Sequence, residues 1–285
     1  MTIGVDLGGT HIRAGIEEHG TISHPRKETF QTKRSLEETL NQFIEFIRPL
    51  VSNGIDGIGI GVPSVVDVER GIVYNVTNIP AWVEVPLKDI LEEEFKIPVS
   101  INNDVNCFVL GEHKYGSVEG YRNVVGISCG TGLGSGIIIN DQLYNGVNCG
   151  AGEVGLLHYL DHTIEYYASG NLFSTQFNTT AEIAHRNALN GDEEAKGYWS
   201  VFGRHLAEAI KSVVLTYDPE AIVLGGSLSK AFALFSPAMR HSLNDFPFPK
   251  SMEKLAIYQS TAENITLLGA AALPSQQATL IKNGR

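Results

Sequence analysis

Cysteine is scarce in this chain. Its 285 residues hold three, Cys107, Cys129 and Cys149, an odd number at wide spacing with no C-x-x-C pair. That excludes a disulfide framework and a cysteine-built zinc site, and fits reduced thiols in a cytoplasmic protein. Long apolar runs are missing too: none approaches the ~20 residues of a membrane helix. The N-terminus lacks the basic, apolar, small-residue series of a signal peptide, so neither secretion nor a membrane partner is expected. Positive charge is in short supply, with 21 Lys and Arg against 32 Asp and Glu and a formal net charge of -11. A nucleic-acid or anionic-membrane binder needs a basic surface, and both partner classes are set aside. One small anionic ligand needs only a local site and remains open. There is no G-x-x-x-x-G-K-[ST] loop and no G-x-G-x-x-G after the first strand. "GTGLGSG" (130–136) alternates glycines, but between two strands, which is the wrong context for a dinucleotide fingerprint.

What the chain does have is glycine, 30 residues of it, gathered into turns. Residues 2–7 and 11–17 read as two strands around Gly8 and Gly9. Residues 35–51 read as a helix, with Leu36, Leu40, Phe43, Ile44 and Ile47 at three- and four-residue steps and a capping box from Ser35 and Glu38. A buried strand follows in "GIGIGVPSVVD" (57–67), then a short helix over 86–96 and a strand over 98–102. A further helix begins near Asp104, a good N-cap type. The second half opens again on strand, Gly turn and strand over 123–146. "GGTHIRAGI" (8–16) and "CGTGLGSGI" (129–137) share Gly, Thr, Gly and Ile at the same offsets, which makes an internal repeat. Helical periodicity runs over 181–190 and 194–217. "AIVLGGSLSKAFALF" (221–235) reads as strand, Gly turn and helix, a common phosphate-binding arrangement because free N–H groups and the helix dipole point at the turn. The last helix, about 268–281, carries "LGAAAL", whose small residues permit close packing. The length suits two domains, and the boundary is expected within 104–122 with a ligand cleft between the lobes.

"VDLGGTHIRAGI", "GIGIGVPSVVD", "NIPAW", "INNDVNCFVLGE", "GTGLGSGI", "GAGEVG", "EYYASG" and "IVLGGSLS" occur in this order, and together they resemble the ROK family of sugar kinases and sugar-responsive repressors. The resemblance runs from about residue 3 to residue 272. It implies an α/β, two-lobed actin-like ATPase (ribonuclease H-like) fold with duplicated mixed sheets and a cleft between the lobes. The smaller lobe would be 1–110, with the C-terminal helix 268–285 packing back on it, and the larger lobe 111–267. It implies ATP and Mg²⁺ as cofactors and a small-molecule sugar as substrate. Gly8, Gly9 and Thr10 would lie by the transferred phosphate, with Asp6 near the Mg²⁺, reaching it through water. Gly130, Thr131 and Gly132 would grip the phosphates, and Gly225, Gly226 and Ser227 would lie by the adenosine. Asp104 would be the base that takes the proton of the sugar hydroxyl, and Asn103, Glu153 and Glu165 would bind sugar hydroxyls. Ser64, where the family usually has Gly after Pro, and Asn78 are further sugar-site candidates. Trp82 reads as a pocket wall or as a packing aromatic. A homodimer is expected by family analogy.

The chain departs from the family in one segment. Many members follow the Glu153 position with Gly-His and a cysteine run that holds a structural zinc. Here the segment is "EVGLLHYLDHTIEYYASG", with Leu156 in the His position and no cysteine between Glu153 and Glu165. No family-type zinc is therefore expected. His158 and His162, four apart, suit one helix face, but Asp161 is their only obvious companion, and Cys149 is remote. An apolar and aromatic cluster, Leu156, Leu157, Tyr159 and Leu160, would take over the stabilising role. The leading reading is an ATP-dependent hexose kinase, for a glucose-like or an N-acetylated hexose. The alternative is a catalytically inactive sugar-binding or regulatory protein. A repressor would need a DNA-binding segment ahead of "DLGGT", and polyphosphate would need a basic track; neither is expected.

Overall fold

The computed structural model describes residues 1–76, 78–147 and 149–282, the side chains of 277–282 excepted. The chain forms two compact units. The first comprises Met1–Glu119, Gln142–Ala151 and Ala262–Arg285, the second Gly120–Asp141 and Gly152–Thr261.

In the first unit, β1 (Thr2–Leu7), β2 (His11–Glu18) and β3 (Thr21–Thr29) form an antiparallel meander. β4 (Gly57–Val62) lies parallel to β1, and a further strand, β8 (Val99–Asn103), lies parallel to β4, so the sheet order is β3-β2-β1-β4-β8. β4 is buried along its whole length, and β1 over five of its six residues. A parallel strand covered on both faces needs apolar or small residues throughout, which is why these segments read as continuous runs. Between β4 and β8 lie β5 (Val65–Asp67), β6 (Ile72–Tyr74) and β7 (Glu84–Val85), a small antiparallel sheet. The parallel strands end together: Asp6 stands beside Gly61, and Val62 beside Asn103. Carboxyl ends of parallel strands are where open α/β sheets bind ligands.

α1 (Leu36–Ile47) starts at the expected capping box. The Ser35 hydroxyl accepts from the Glu38 amide at 3.2 Å, and the Glu38 carboxylate accepts from the Ser35 amide at 3.0 Å. α2 (Leu87–Phe95) and α3 (Asp104–Tyr115) follow, and α10 (Ile265–Lys282) returns to the unit. α10 packs on α3 and on the sheet through its small residues. A Cβ on Gly269 would coincide with the Cys107 carbonyl, so the two helix backbones touch. Trp82 is fully buried; its indole Nε1 donates to Thr39 Oγ1 at 2.8 Å, and its ring meets Phe30 and Phe43 edge-on. It is packed as a core residue.

The second unit repeats the plan. β9 (Val124–Cys129) and β10 (Leu133–Ile139) form an antiparallel hairpin, and the short β11 (Gln142–Leu143) that follows falls in the first unit's middle segment. β14 (Ala221–Gly225) and β15 (Ala256–Gln259) add in parallel, so the unit's own strands run in the order β10-β9-β14-β15. The short hairpin β12 (His158–Tyr159) and β13 (His162–Thr163) stands where the sequence spacing suggests a helix face. After it come α4 (Ile164–Tyr167), α5 (Gly170–Gln176), α6 (Ala181–Leu189) and the long α7 (Glu193–Tyr217), then α8 (Phe232–Leu243) and α9 (Pro249–Lys254). Phe173, Trp199, Phe202 and Phe235 form the aromatic core of these helices. Among the described residues no helix is long and apolar enough to cross a membrane.

Candidate active site

Asp6, one residue before the end of β1, is a buried carboxylate. The β1–β2 register sets it opposite Arg13, whose Nε donates to Asp6 Oδ2 at 3.0 Å and whose Nη2 reaches the same oxygen. The turn that follows is closed by the Gly8 amide on the His11 carbonyl at 2.9 Å. Gly9 is packed against Asn78: a Cβ there would lie 2.5 Å from Asn78 Nδ2. The turn thus gathers Asp6, Gly8, Gly9, Thr10 and Asn78. Among the described residues no group of three His, Cys, Asp or Glu is placed to hold a metal ion. Mg²⁺ keeps several waters and takes further ligands from substrate phosphates, so a single protein carboxylate such as Asp6 is a donor set it accepts.

At the β8–α3 junction the N-cap is Asn103, one residue earlier than the sequence suggests. Its Oδ1 accepts from the Val105 amide at 2.9 Å, and its Nδ2 donates to the Ser64 carbonyl at 3.3 Å. Asp104 is the first residue of α3, and its Oδ1 also accepts from the Val105 amide at 2.9 Å. Ser64 Oγ donates to the Tyr74 carbonyl. Asn103, Asp104 and Ser64 are thereby brought together. Below them, the thiol of Cys107 is pushed well above its ordinary pKa, by burial first and then by the charges of Asp104 and Asp6. Sequence reasoning missed the side chains under this junction: Asn102, Asn106, Asn145 and Cys149 form a hydrogen-bonded group. Asn145 and Cys149 come from a segment with no motif of its own.

In the second unit two Gly turns meet at adjacent strand ends. Gly225 pairs with Ser128, and a Cβ on Gly130 would stand 3.5 Å from Ser227 Oγ. Gly226 takes φ +80°, and any side chain there would strike the Cys129 backbone, so only glycine fits. A third element joins them, unforeseen in this role: the Gly170 amide, opening α5, donates to the Gly130 carbonyl at 2.8 Å. Gly130, Thr131, Gly132, Gly225, Gly226 and Ser227 therefore share one corner of the unit. The carboxylate of Glu165, on α4, accepts from the Leu133 amide at 2.8 Å, and a Cβ on Gly132 would come within 2.5 Å of it.

Glu153 lies near enough to Glu165 for the two charges to interact. Its pKa is raised, by partial desolvation of the carboxyl first and by the like charge of Glu165 second. Two carboxylates held this way accept hydrogen bonds readily from hydroxyl groups. Leu156 ends the short 3₁₀ turn after Glu153 and is 62% exposed. The hairpin beyond it is an aromatic assembly. His158 Nδ1 bonds the His162 carbonyl at 2.8 Å, and His162 stacks on Tyr166 with ring centroids 4.0 Å apart. Tyr159 Oη meets His205 Nδ1 at 3.1 Å, and Tyr167 packs against the same histidine. The two hairpin histidines thus engage the backbone and a ring.

A sequence model of the ROK family matches residues 2–277. A glucokinase of Streptomyces coelicolor is 33% identical over 258 residues, 84% of this chain and 80% of its own. A xylose repressor of Bacillus spizizenii is 26% identical over 297 residues, 95% of this chain and 76% of its own. Among solved structures, a ROK family glucokinase from Streptomyces griseus in complex with glucose and AMPPNP superposes with a TM-score of 0.81 at 26% identity, covering 95% of this chain and 98% of that one.

Proposed function

The chain belongs to the ROK family, and on that premise we propose that it is an ATP-dependent sugar kinase acting on a hexose hydroxyl. Its fold is the actin-like ATPase fold with a duplicated mixed sheet. In this reading the hydroxyl oxygen of the sugar attacks the γ-phosphorus of ATP. A new O–P bond forms, the bond to the ADP oxygen breaks, and the hydroxyl proton passes to the carboxylate of Asp104. The turn of Gly8, Gly9 and Thr10 in the first unit and that of Gly130, Thr131 and Gly132 in the second are assigned to the phosphates, and Gly225, Gly226 and Ser227 to the nucleoside. Mg²⁺, when bound by way of Asp6, supplies neutralisation of phosphate charge. Asn103, Ser64 and Asn78 in the first unit, and Glu153 and Glu165 in the second, are assigned to sugar hydroxyls. The substrate is a glucose-like or an N-acetylated hexose.

The observation that carries the reading is the placement of Asp104 at the start of α3. Asn103 caps the helix, and the carboxylate of Asp104 stands beside it at the carboxyl ends of the parallel strands. A sugar hydroxyl is too weak an acid to ionise near neutrality, so a positioned base is what phosphoryl transfer to it lacks otherwise. The glucokinase relatives support a kinase, while the xylose repressor favours a second reading, a sugar-binding regulator without transfer. The two are separated by measuring ADP release from MgATP across hexoses, amino sugars and N-acetylated sugars, with Asp104→Asn as the control. Turnover that depends on Asp104 establishes the kinase. Sugar binding without turnover establishes the regulator.

A further inference from the structure

Four polar side chains of the first unit meet at the β8–α3 junction, and the reaction as assigned above uses none of them. Asn102, on β8, is 2% exposed. Its Oδ1 accepts from three donors: the Asn103 amide at 2.8 Å, Asn106 Nδ2 at 2.9 Å and the Cys149 thiol at 3.1 Å. Its own Nδ2 donates to Asn145 Oδ1 at 3.0 Å. Asn106 Nδ2 also lies 3.4 Å from Asn145 Oδ1 and 3.4 Å from Cys149 Sγ. Asn102, on β8, and Asn106, on α3, are four positions apart and flank Asn103, Asp104 and Val105, so their bond closes a ring around the junction. Cys149 takes φ +56°, a backbone conformation that favours glycine. Glycine would relieve that backbone and lose the thiol.

We propose that Cys149 is a positioning residue, whose thiol locks the Asn102 hub and through it sets Asn103 and Asp104 at the angle the acceptor hydroxyl requires. The proposal rests on the sugar-kinase reading above. The physical case is one of tolerances. A general base must be held within a fraction of an ångström, and residues that hold it act through buried, satisfied hydrogen bonds. Asn102 Oδ1 keeps two donors when the thiol is removed, so the sheet and helix survive. What changes is how firmly the turn between them is registered. The Asn103 amide bonds that same oxygen, so slack in the hub passes directly to the residues beside the substrate.

Two variants test this. Cys149→Gly removes the thiol and relieves the backbone. The expected result is a melting temperature unchanged or raised, kcat lower by about tenfold, and KM for MgATP within about twofold of the parent. Cys149→Ser keeps a donor and should return kcat to within about threefold. Amide hydrogen exchange over residues 103–108, followed by mass spectrometry without any sugar, should be about threefold faster in Cys149→Gly and near the parent rate in Cys149→Ser. Full kcat in Cys149→Gly, unchanged exchange, or a melting temperature that falls together with kcat would each overturn the positioning role. A parent protein silent on every sugar would instead overturn the sugar-kinase reading and the catalytic part of this proposal with it. The exchange measurement would then still decide whether the thiol holds the turn.

Discussion

Asn103 and Asp104 are neighbours with different tasks, and the difference decides what a substitution does. A carboxylate that caps a helix costs stability when it is replaced; one that takes a proton costs rate. Asn103 Oδ1 and Asp104 Oδ1 both accept from the Val105 amide, and an asparagine keeps that oxygen, so Asp104→Asn should lower kcat by about 10²–10⁴-fold, with the melting temperature and the affinity for MgATP, read by calorimetry, near those of the parent. Glu153 gives a prediction in pH. Its folded pKa is raised above 4.5 by desolvation and by Glu165. Sugar hydroxyls donate to the ionised form, so binding favours loss of the proton. Sugar affinity should therefore rise with pH through a range beginning above 4.5 and level off once Glu153 is ionised, whereas Glu153→Gln should flatten the profile. Isothermal titration at several pH values checks both. An affinity that falls with rising pH would exclude Glu153 as a hydroxyl acceptor.

Elements were legible in the sequence where pattern and burial agree. β1 and β4 are covered strands of apolar and small residues, and α1 announces itself by its cap and its periodicity. β3 escaped because an exposed edge strand need not alternate: Thr21–Thr29 is largely exposed and contains Pro25, which only an edge tolerates. The β12–β13 hairpin escaped because its two histidines are spaced like a helix face, and only the pairing of His158 with Thr163 and of Tyr159 with His162 across a two-residue turn reveals a strand. The Gly turns were readable because a close backbone approach leaves a residue-type signature. The Asn102 hub was not, since Cys149 and Asn102 are 47 positions apart and nothing in either segment names the other. The capping box carries its own test. Ser35 lies on the exposed start of α1, far in function from the turns, so Ser35→Ala should cost about 1 kcal/mol of stability in urea unfolding and leave turnover unchanged.

On the scale of the whole chain, the repeat at 8–16 and 129–137 is the visible trace of two sheets built in the same strand order, each bearing its Gly turn between the first two strands. Duplication explains the scaffold but not the segment 156–167, where this chain departs from the zinc-bearing pattern. There the aromatic assembly of Tyr159, Tyr166, Tyr167, His162 and His205 stands in the second unit. Its response to conditions should differ from that of a metal site. Removing a structural metal unfolds what it holds, so a strong chelator should lower the melting temperature of a zinc protein; here it should leave the melting temperature unchanged. Acid should act where the chelator does not. Burial, and next Arg204, lower the pKa of His205 below 6.5, against the pull of Glu208. The unfolded chain then binds the proton first as pH falls, so stability is present above 6.5 and drains away below it, until pH passes the lower folded value. His205→Gln should remove that part of the pH dependence. A melting temperature that drops with chelator and recovers with added zinc would show instead that a metal holds this segment.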